Sequence, residues 1–165
     1  TDSTRGNVSV GDSLFVYGNV YGTGADLAEI YPSDQELEPG QLVTTAGNSE
    51  VERTGKKFEK TVGVVSLNPG YVMNSMADGY KIGLEGKIEV RLAESHGRIE
   101  AGDYIVASGE PGEAVSCETR SEMGAGNLTE LKKVSRHNRL CENRALGTAL
   151  EKATESEESV KVLVS

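Results

Sequence analysis

Short apolar segments separated by glycine-containing turns are the feature that most constrains this chain. Turns of the Pro-Gly type stand at 39–40, 69–70 and 111–112. Apolar runs bounded by such turns are typical of β-strands. We expect strands over 41–45, 61–66, 87–92, 103–107, 145–150 and 160–164. The chain is therefore predicted to be mainly β.

Residues 1–24 have a different texture from the rest. The run 6–11 is echoed by the run 18–22 twelve positions later, and the apolar residues 14–17 lie between them. Short strands joined by Gly and Asn turns are typical of a winding β-stalk, whose units must be covered by neighbours or sister chains. We predict that 1–24 is the β-stalk end of a fibre. The alternative is a plain β-hairpin at the domain edge.

The rest of the chain contains a faint internal duplication. Residues 37–43 (Leu-Glu-Pro-Gly-Gln-Leu-Val) resemble residues 99–105 (Ile-Glu-Ala-Gly-Asp-Tyr-Ile) at an offset of 62, which is 99 − 37. The Gly-containing strands at 62–65 and 146–150 follow at an offset of 84, which is 146 − 62. The repeat predicts two related β-units packed into one barrel or sandwich.

The later unit holds about 22 extra residues (84 − 62), which fall near 117–140. Within them, Asn127 is a candidate N-cap, and Leu128, Leu131 and Val134 recur at helical spacing. We therefore predict a small helical insert that starts at Asn127 and lies at the periphery of the β-domain.

The charge balance excludes some classes of partner. The chain has 26 acidic and 17 basic residues, a net charge of −9, whereas a phosphate-binding surface needs a basic face. The basic residues between 132 and 144 are interrupted by Glu142 and carry no interleaved aromatics. No apolar run approaches the roughly 20 residues that a bilayer span requires. We expect no nucleic-acid partner and no membrane span.

Few residues point to metal or cofactor chemistry. Cys117 and Cys141 are the only cysteines, and their spacing does not decide between a disulfide and free thiols. With His96 and His137 they form a Cys2His2 set in principle, but no short ligand spacing supports it. Phosphate loops, nucleotide fingerprints and metalloprotease helices are absent from the sequence. We expect no metal and no cofactor.

Asp26 and Glu29 are the candidate catalytic residues. Their spacing places both carboxylates on one side of a helical turn but on opposite sides of a strand. Two crowded acids do not both ionise easily, so the pair supplies a general acid and a general base. Beside a strained peptide bond, one acid protonates the leaving nitrogen while the other activates water. The same spacing also fits a capping box, with Asp26 as N-cap and Glu29 at N3.

A resemblance bears on this choice. The runs 26–31 (Asp-Leu-Ala-Glu-Ile-Tyr), 62–70, 83–90 and 160–164 resemble the C-terminal autoproteolytic intramolecular-chaperone domain of bacteriophage tail spikes and neck appendages, peptidase family G2. The resemblance covers about residues 25–165. It implies a C-terminal chaperone domain that helps a trimeric fibre to fold and then cuts itself once, as a single-turnover endopeptidase.

Carried onto this sequence, the family pattern puts the cleaved bond between Ala25 and Asp26, with Asp26 and Glu29 as the catalytic pair. Sites in the family often have Ser immediately before the Asp, and this chain has Ala25. Assistance by a hydroxyl at that position is therefore not available, whereas attack by water with the two acids remains.

The resemblance also implies the partners and the location. We expect a homotrimer joined to an upstream fibre or spike domain of the same chain, in a virion or a cell-surface appendage. Two further functions remain open at this stage: a structural trimer cap that never cuts, and a receptor- or glycan-binding tip. The six Tyr and two Phe are few for a sugar-stacking surface, which weakens the last of these.

Overall fold

The structure is a computed structural model that describes residues 10–47, 49–121 and 126–165. It is mainly β, as the sequence predicts, with the sheet curled into a half-barrel. The strands within the described ranges are β1 (Asp26–Tyr31), β2 (Leu42–Thr45), β3 (Val51–Arg53), β4 (Gly63–Val65), β5 (Tyr71–Met73), β6 (Tyr80–Arg91), β7 (Tyr104–Ala107), β8 (Ala114–Cys117), β9 (Gly147–Ala149) and β10 (Ser159–Val164). The helix is α1 (Leu128–Arg144). All six predicted strands are present.

The strand order of the sheet is symmetric about its middle. It reads β3-β2-β4-β6-β10-β9-β7-β8, with β1 paired to both β5 and β6 outside this path. Read from either end, the order places a three-stranded antiparallel group against one of the two long central strands. The first group is β3-β2-β4 beside β6, and the second is β8-β7-β9 beside β10.

Backbone hydrogen bonds repeat between the two groups at the offsets found in the sequence. Gly40 N–H donates to Val65 O at 2.9 Å, and Gly102 N–H donates to Ala149 O at 2.8 Å. Both glycines have positive φ, 84° and 97°, as a tight corner before a strand requires. The residue pair Val43–Gly63 likewise recurs as Ile105–Gly147. The predicted internal duplication is confirmed as two related β-units.

The main apolar core draws on both units. Fully buried members come from the first unit (Leu42, Val64), from the second (Ile99, Ile105) and from the central strands (Val90, Val160, Val162). Side chains alternate along β10, with Val160, Val162 and Val164 buried and Lys161 and Leu163 exposed. Such alternation is the period of a strand with one face on a core and one face in solvent.

The predicted helix is confirmed and is longer than expected. Asn127 is the N-cap, and its Oδ1 accepts the Glu130 N–H at 3.0 Å. The helix continues ten residues beyond Val134, the last residue of the predicted helical spacing, and Cys141 near its C-terminus forms a disulfide with Cys117 of β8. This disulfide fixes a polar stretch to the sheet. In the described part of the chain, no helix combines the length and apolarity of a membrane crossing.

Residues 10–24 form no strand in the single chain and are almost all exposed. Their large apolar side chains are exposed, with Phe15 at 78% and Tyr17 at 102% of full exposure. Residues 6–9 of the predicted echo fall outside the described residues. A stalk formed between copies stays a prediction, because its strands pair across chains.

Candidate functional site

The candidate acids lie on β1, which is an extended strand. It pairs antiparallel with β6, with Asp26 opposite Gly86 and Glu29 opposite Ile82, and parallel with β5. The capping-box alternative is wrong, because neither residue begins a helix. Pairing with two other strands at once supplies more hydrogen bonds than a single helical turn ended by Pro32, so the extended form prevails.

Within one chain the strand separates the two carboxylates. Successive side chains of a strand point to opposite faces, so Asp26 shares a face with Ala28, and Glu29 shares the other with Tyr31. The sequence left two alternatives open, one side of a helical turn or opposite sides of a strand. Because β1 is extended, the second applies to the single chain: Asp26 and Glu29 are near in sequence but lie on opposite faces of the strand.

Asp26 has an unusual environment. Its Oδ2 atom is buried and has no hydrogen-bond partner among the described residues. A buried carboxylate oxygen without a partner is costly, and a catalytic role or a bound water or ion is among the reasons for which one is found. Asp26 also forms part of the wall of a cleft of about 430 Å³, together with Ser66, Asn68, Lys87 and Glu89. The cleft gives a small molecule such as water access beside this carboxyl.

Glu29 is held by its neighbour on the same face. The Tyr31 hydroxyl donates to Glu29 Oε2 at 2.9 Å. Burial raises the pKa of the Tyr31 phenol, and the hydrogen bond to Glu29 raises it further. Tyr31 therefore stays a hydrogen-bond donor at neutral pH. It orients the Glu29 carboxylate while leaving the second oxygen available.

The peptide bond before Asp26 is clamped by backbone groups. Lys87 N–H donates to the Ala25 carbonyl at 3.1 Å, and Gly70 N–H donates to the Asp26 carbonyl at 2.8 Å. A Cβ on Gly86, whose φ is 112°, would lie 2.4 Å from the Ala25 carbonyl oxygen. A Cβ on Gly24 would lie 2.2 Å from Gly70 N. The chain on both sides of the Ala25–Asp26 bond is thus fixed in place, and a backbone donor faces its carbonyl.

Reasoning from the sequence did not find this clamp. Gly70 belongs to a Pro-Gly turn signal, and Gly86 ends the run Gly-Leu-Glu-Gly at 83–86. Two glycines in four residues of an otherwise long strand were a usable signal, since they mark bulges and close backbone approaches. The register of β1 against β6 does shift at this point, between Leu27 and Ala28.

The four residues of the possible Cys2His2 set are divided in the structure. His137 lies beside the Cys117–Cys141 disulfide, with its Nε2 3.6 Å from Cys141 Sγ. His96 is buried elsewhere, and its Nε2 lies 3.0 Å from the Glu157 carbonyl. The question left open by the cysteine spacing is answered in favour of a disulfide.

The chain is a β half-barrel of two repeated units. Strand β1, which begins directly after the Ala25–Asp26 bond, is added to it beside β6. No protein-family model matches the chain, and no curated protein matches it. Among solved structures, the crystal structure of pre-mature bacteriophage phi29 gene product 12 is similar, with a TM-score of 0.54 and 19% identity. The match covers 99% of this chain and 24% of that chain, so this chain spans about a quarter of that protein's length. At this identity the likeness establishes a shared fold.

Proposed function

We propose that this chain is the C-terminal trimerisation and folding domain of a viral tail-fibre- or spike-like protein, and that it cleaves itself once between Ala25 and Asp26. The shared fold supports this, because the similar structure is a phage protein described as pre-mature. The match there takes up only part of that protein, consistent with a domain attached to a larger chain. The proposed location is the virion.

The exposed N-terminal segment supports assembly with other copies. Residues 10–24 expose a series of large apolar side chains: Leu14, Phe15, Val16, Tyr17, Val20 and Tyr21. Contiguous apolar surface of this kind marks an interaction site. In a homotrimer, the equivalent segments of three copies cover one another and form the stalk that leads to the upstream domain.

The single observation that carries the cleavage proposal is the clamped Ala25–Asp26 bond. The Lys87 N–H already points at the carbonyl oxygen that becomes negative when water attacks. In the proposed reaction, water adds to the Ala25 carbonyl carbon and gives a proton to a glutamate. Protonated Asp26 then gives a proton to its own backbone nitrogen as the C–N bond breaks. The products are a carboxylate on Ala25 and a free amine on Asp26.

The glutamate in this reaction comes from a neighbouring copy. Within one chain Glu29 faces away from Asp26, so the two cannot act on one bond from the same strand. A trimer brings a second β1 strand, with its own Glu29, towards the cleft beside Asp26. This arrangement also makes cleavage wait for assembly, since a monomer lacks a complete pair.

Mixing two inactive variants tests this assignment. Alone, Asp26→Asn and Glu29→Gln are each expected to slow cleavage at least about a hundredfold, because each lacks one half of the acid–base pair. Co-refolded, the Glu29→Gln chains, which keep Asp26, are expected to be cut with Glu29 supplied by Asp26→Asn neighbours. Glu85→Gln, an exposed acid on β6, is the control that leaves cleavage unchanged.

Two outcomes of the mixing experiment contradict the assignment. If Glu29→Gln cleaves itself at the wild-type rate, the glutamate has no catalytic part. If both variants are inactive and mixing restores nothing, the pair does not act between copies. A wild-type chain that stays at full length after assembly would instead favour the second candidate function, a trimer cap that never cuts.

A further inference from the structure

Helix α1 is joined to the sheet by the Cys117–Cys141 disulfide, by a small apolar cluster, and by hydrogen bonds of Asn138 and His137 with the segment that follows β8. Cys141 is the buried residue of the 17-residue helix, and the apolar cluster beneath it is small. That cluster consists of Val106, Cys117 and Cys141, with Phe58, Tyr104 and Val115 at its edge. A helix of this length is marginal in water without tertiary contacts. Breaking the disulfide would therefore leave α1 with only this small cluster and a few exposed hydrogen bonds to hold it in place.

A third donor lies beside the two sulfurs. His137 precedes Cys141 by four residues, one helical turn, so both side chains lie on the face of α1 that meets β8. Its Nε2 is 3.6 Å from Cys141 Sγ and 3.0 Å from the Glu118 carbonyl oxygen. The donor atoms of Cys117, His137 and Cys141 all lie within 4.8 Å of one another. Two thiolates and an imidazole are a donor set that Zn²⁺ binds tetrahedrally.

The distances between the donor atoms of these three side chains are close to those in a tetrahedral zinc site. With Zn–S bonds of about 2.3 Å and Zn–N bonds of about 2.0 Å, adjacent ligand atoms of a tetrahedral site stand roughly 3.5 Å apart. The His137–Cys141 pair already has this separation. The two sulfurs reach it once the bond between them is broken and the cysteine side chains rotate. The His137 contact with the Glu118 carbonyl is exchanged for the metal bond.

We propose that, after reduction of the disulfide, Cys117, His137 and Cys141 bind one Zn²⁺ ion that holds α1 on the sheet in place of the disulfide. The fourth ligand is water. Two thiolates cancel the charge of the ion, so the basic side chains of α1 do not oppose a net positive centre. Helix α1 is then held on the sheet in either of two ways, by the disulfide in the oxidised chain or by the zinc ion in the reduced chain.

Reduction of the Cys117–Cys141 disulfide requires an external reductant. A water-soluble phosphine gives two electrons to the disulfide and becomes a phosphine oxide, taking its oxygen from water, and each sulfur takes one proton. Zinc binding then deprotonates both thiols and releases two protons to the solvent. The protein itself supplies no electrons.

The test uses the full chain, purified oxidised, reduced with the phosphine and titrated anaerobically with Zn²⁺ against a chromophoric chelator. Expected is one ion per chain with a dissociation constant below about 1 µM, and no binding to the oxidised chain. Co²⁺ in place of Zn²⁺ should give the thiolate charge-transfer and visible bands of a tetrahedral site. The far-ultraviolet helix signal should fall on reduction and return with zinc.

Two variants distinguish a zinc site with three protein ligands from zinc bound by the two thiolates alone. His137→Gln keeps the disulfide, so it folds before reduction, and it should bind zinc about tenfold or more weakly after reduction. Arg136→Gln, an exposed neighbour on the helix, should bind like wild type. The proposal is overturned if His137→Gln binds as tightly as wild type, if the reduced wild type binds no zinc, or if zinc does not restore the helix signal.

Discussion

The two halves of the sheet repeat one another strand for strand and differ in what has been added to each. The first half receives two extra strands, β1 and β5. Strand β1 enters beside β6 and carries Asp26 and Glu29. The second half carries α1, inserted between β8 and β9 and fixed by the disulfide. The main core draws on the repeated strands, whereas each candidate site combines an addition with a neighbouring repeated strand. These are β1 with Gly86 and Lys87 of β6, and α1 with Cys117 of β8. The duplication supplies the main core, and the two halves differ most at the elements that carry the proposed sites.

The largest effect is expected at the addition to the first half. Gly86→Ala should slow cleavage about a hundredfold, since its Cβ would displace the Ala25 carbonyl from the Lys87 donor. A time course of fragment formation on a denaturing gel measures this rate.

Gly102→Ala is the matched control for that variant. Gly102 also has positive φ, 97°, but a Cβ there meets no atom within 4 Å. It should lose about 1 kcal/mol of stability through backbone strain and cleave at the wild-type rate. Equal slowing by both variants would attribute the effect to general destabilisation.

The next effect tests the equivalence of the halves. Gly63 and Gly147 occupy the same position in the two units, and a Cβ on either would lie within 2.4 Å and 2.0 Å of the carbonyl oxygens of Gly83 and Leu163. Each change to Ala should cost about 1–3 kcal/mol of unfolding free energy, as overpacking against backbone does. Denaturant unfolding measures both, with exposed Gly55→Ala as the control that has free space. A large cost at one position alone would break the equivalence.

A smaller effect is expected at the addition to the second half. Asn127→Ala removes the side-chain acceptor for the Glu130 N–H and should cost the helix about 1 kcal/mol. Because the helix lies outside the main core, hydrogen exchange should speed up in the first turn of α1 and stay unchanged in β9 and β10. Faster exchange throughout the sheet would mean that the insert is part of the core.

The smallest effect concerns charge at the edge of the second unit. Burial raises the pKa of the Glu113 carboxyl, and neighbouring Glu110 adds to the shift. When a carboxyl has a higher pKa in the folded state than in the unfolded state, the free energy of unfolding of the protein falls as pH rises through these pKa values. The reason is that the unfolded chain releases the proton more easily. Glu113→Gln should therefore melt slightly higher than wild type at pH 7 and equally at pH 3. Exposed Glu155→Gln is the control, and a lower melting temperature at pH 7 would contradict the sign.

The corners and the longer strands of the repeated parts could be predicted from the sequence, because their signals lie in short stretches of the chain. Corner glycines such as Gly40 and Gly102 and the alternation along β10 depend on neighbouring residues only. The short strands β3, β5 and β8 were missed. They have three or four residues each, whereas β4 and β9, which are as short, lie within the longer apolar runs 62–65 and 146–150. β1 was also missed, since the spacing of its two acids imitates a helical turn.

The clamp around the Ala25–Asp26 bond depends on residues far apart in sequence. Gly70 and Gly86 are brought to the bond by the pairing of β1 with β5 and β6, and no local pattern specifies that pairing. The metal-site geometry has the same cause. Cys117 and Cys141 stand 24 residues apart, and only the return of α1 to β8 joins them and brings His137 alongside.

The most direct test of the account is the intact mass of the wild-type chain after purification and incubation. The account predicts two species whose masses correspond to residues 1–25 and 26–165, with Asp26 as the new N-terminal residue. A single species of full-length mass, in a preparation that light scattering finds to be trimeric, would contradict self-cleavage at this junction.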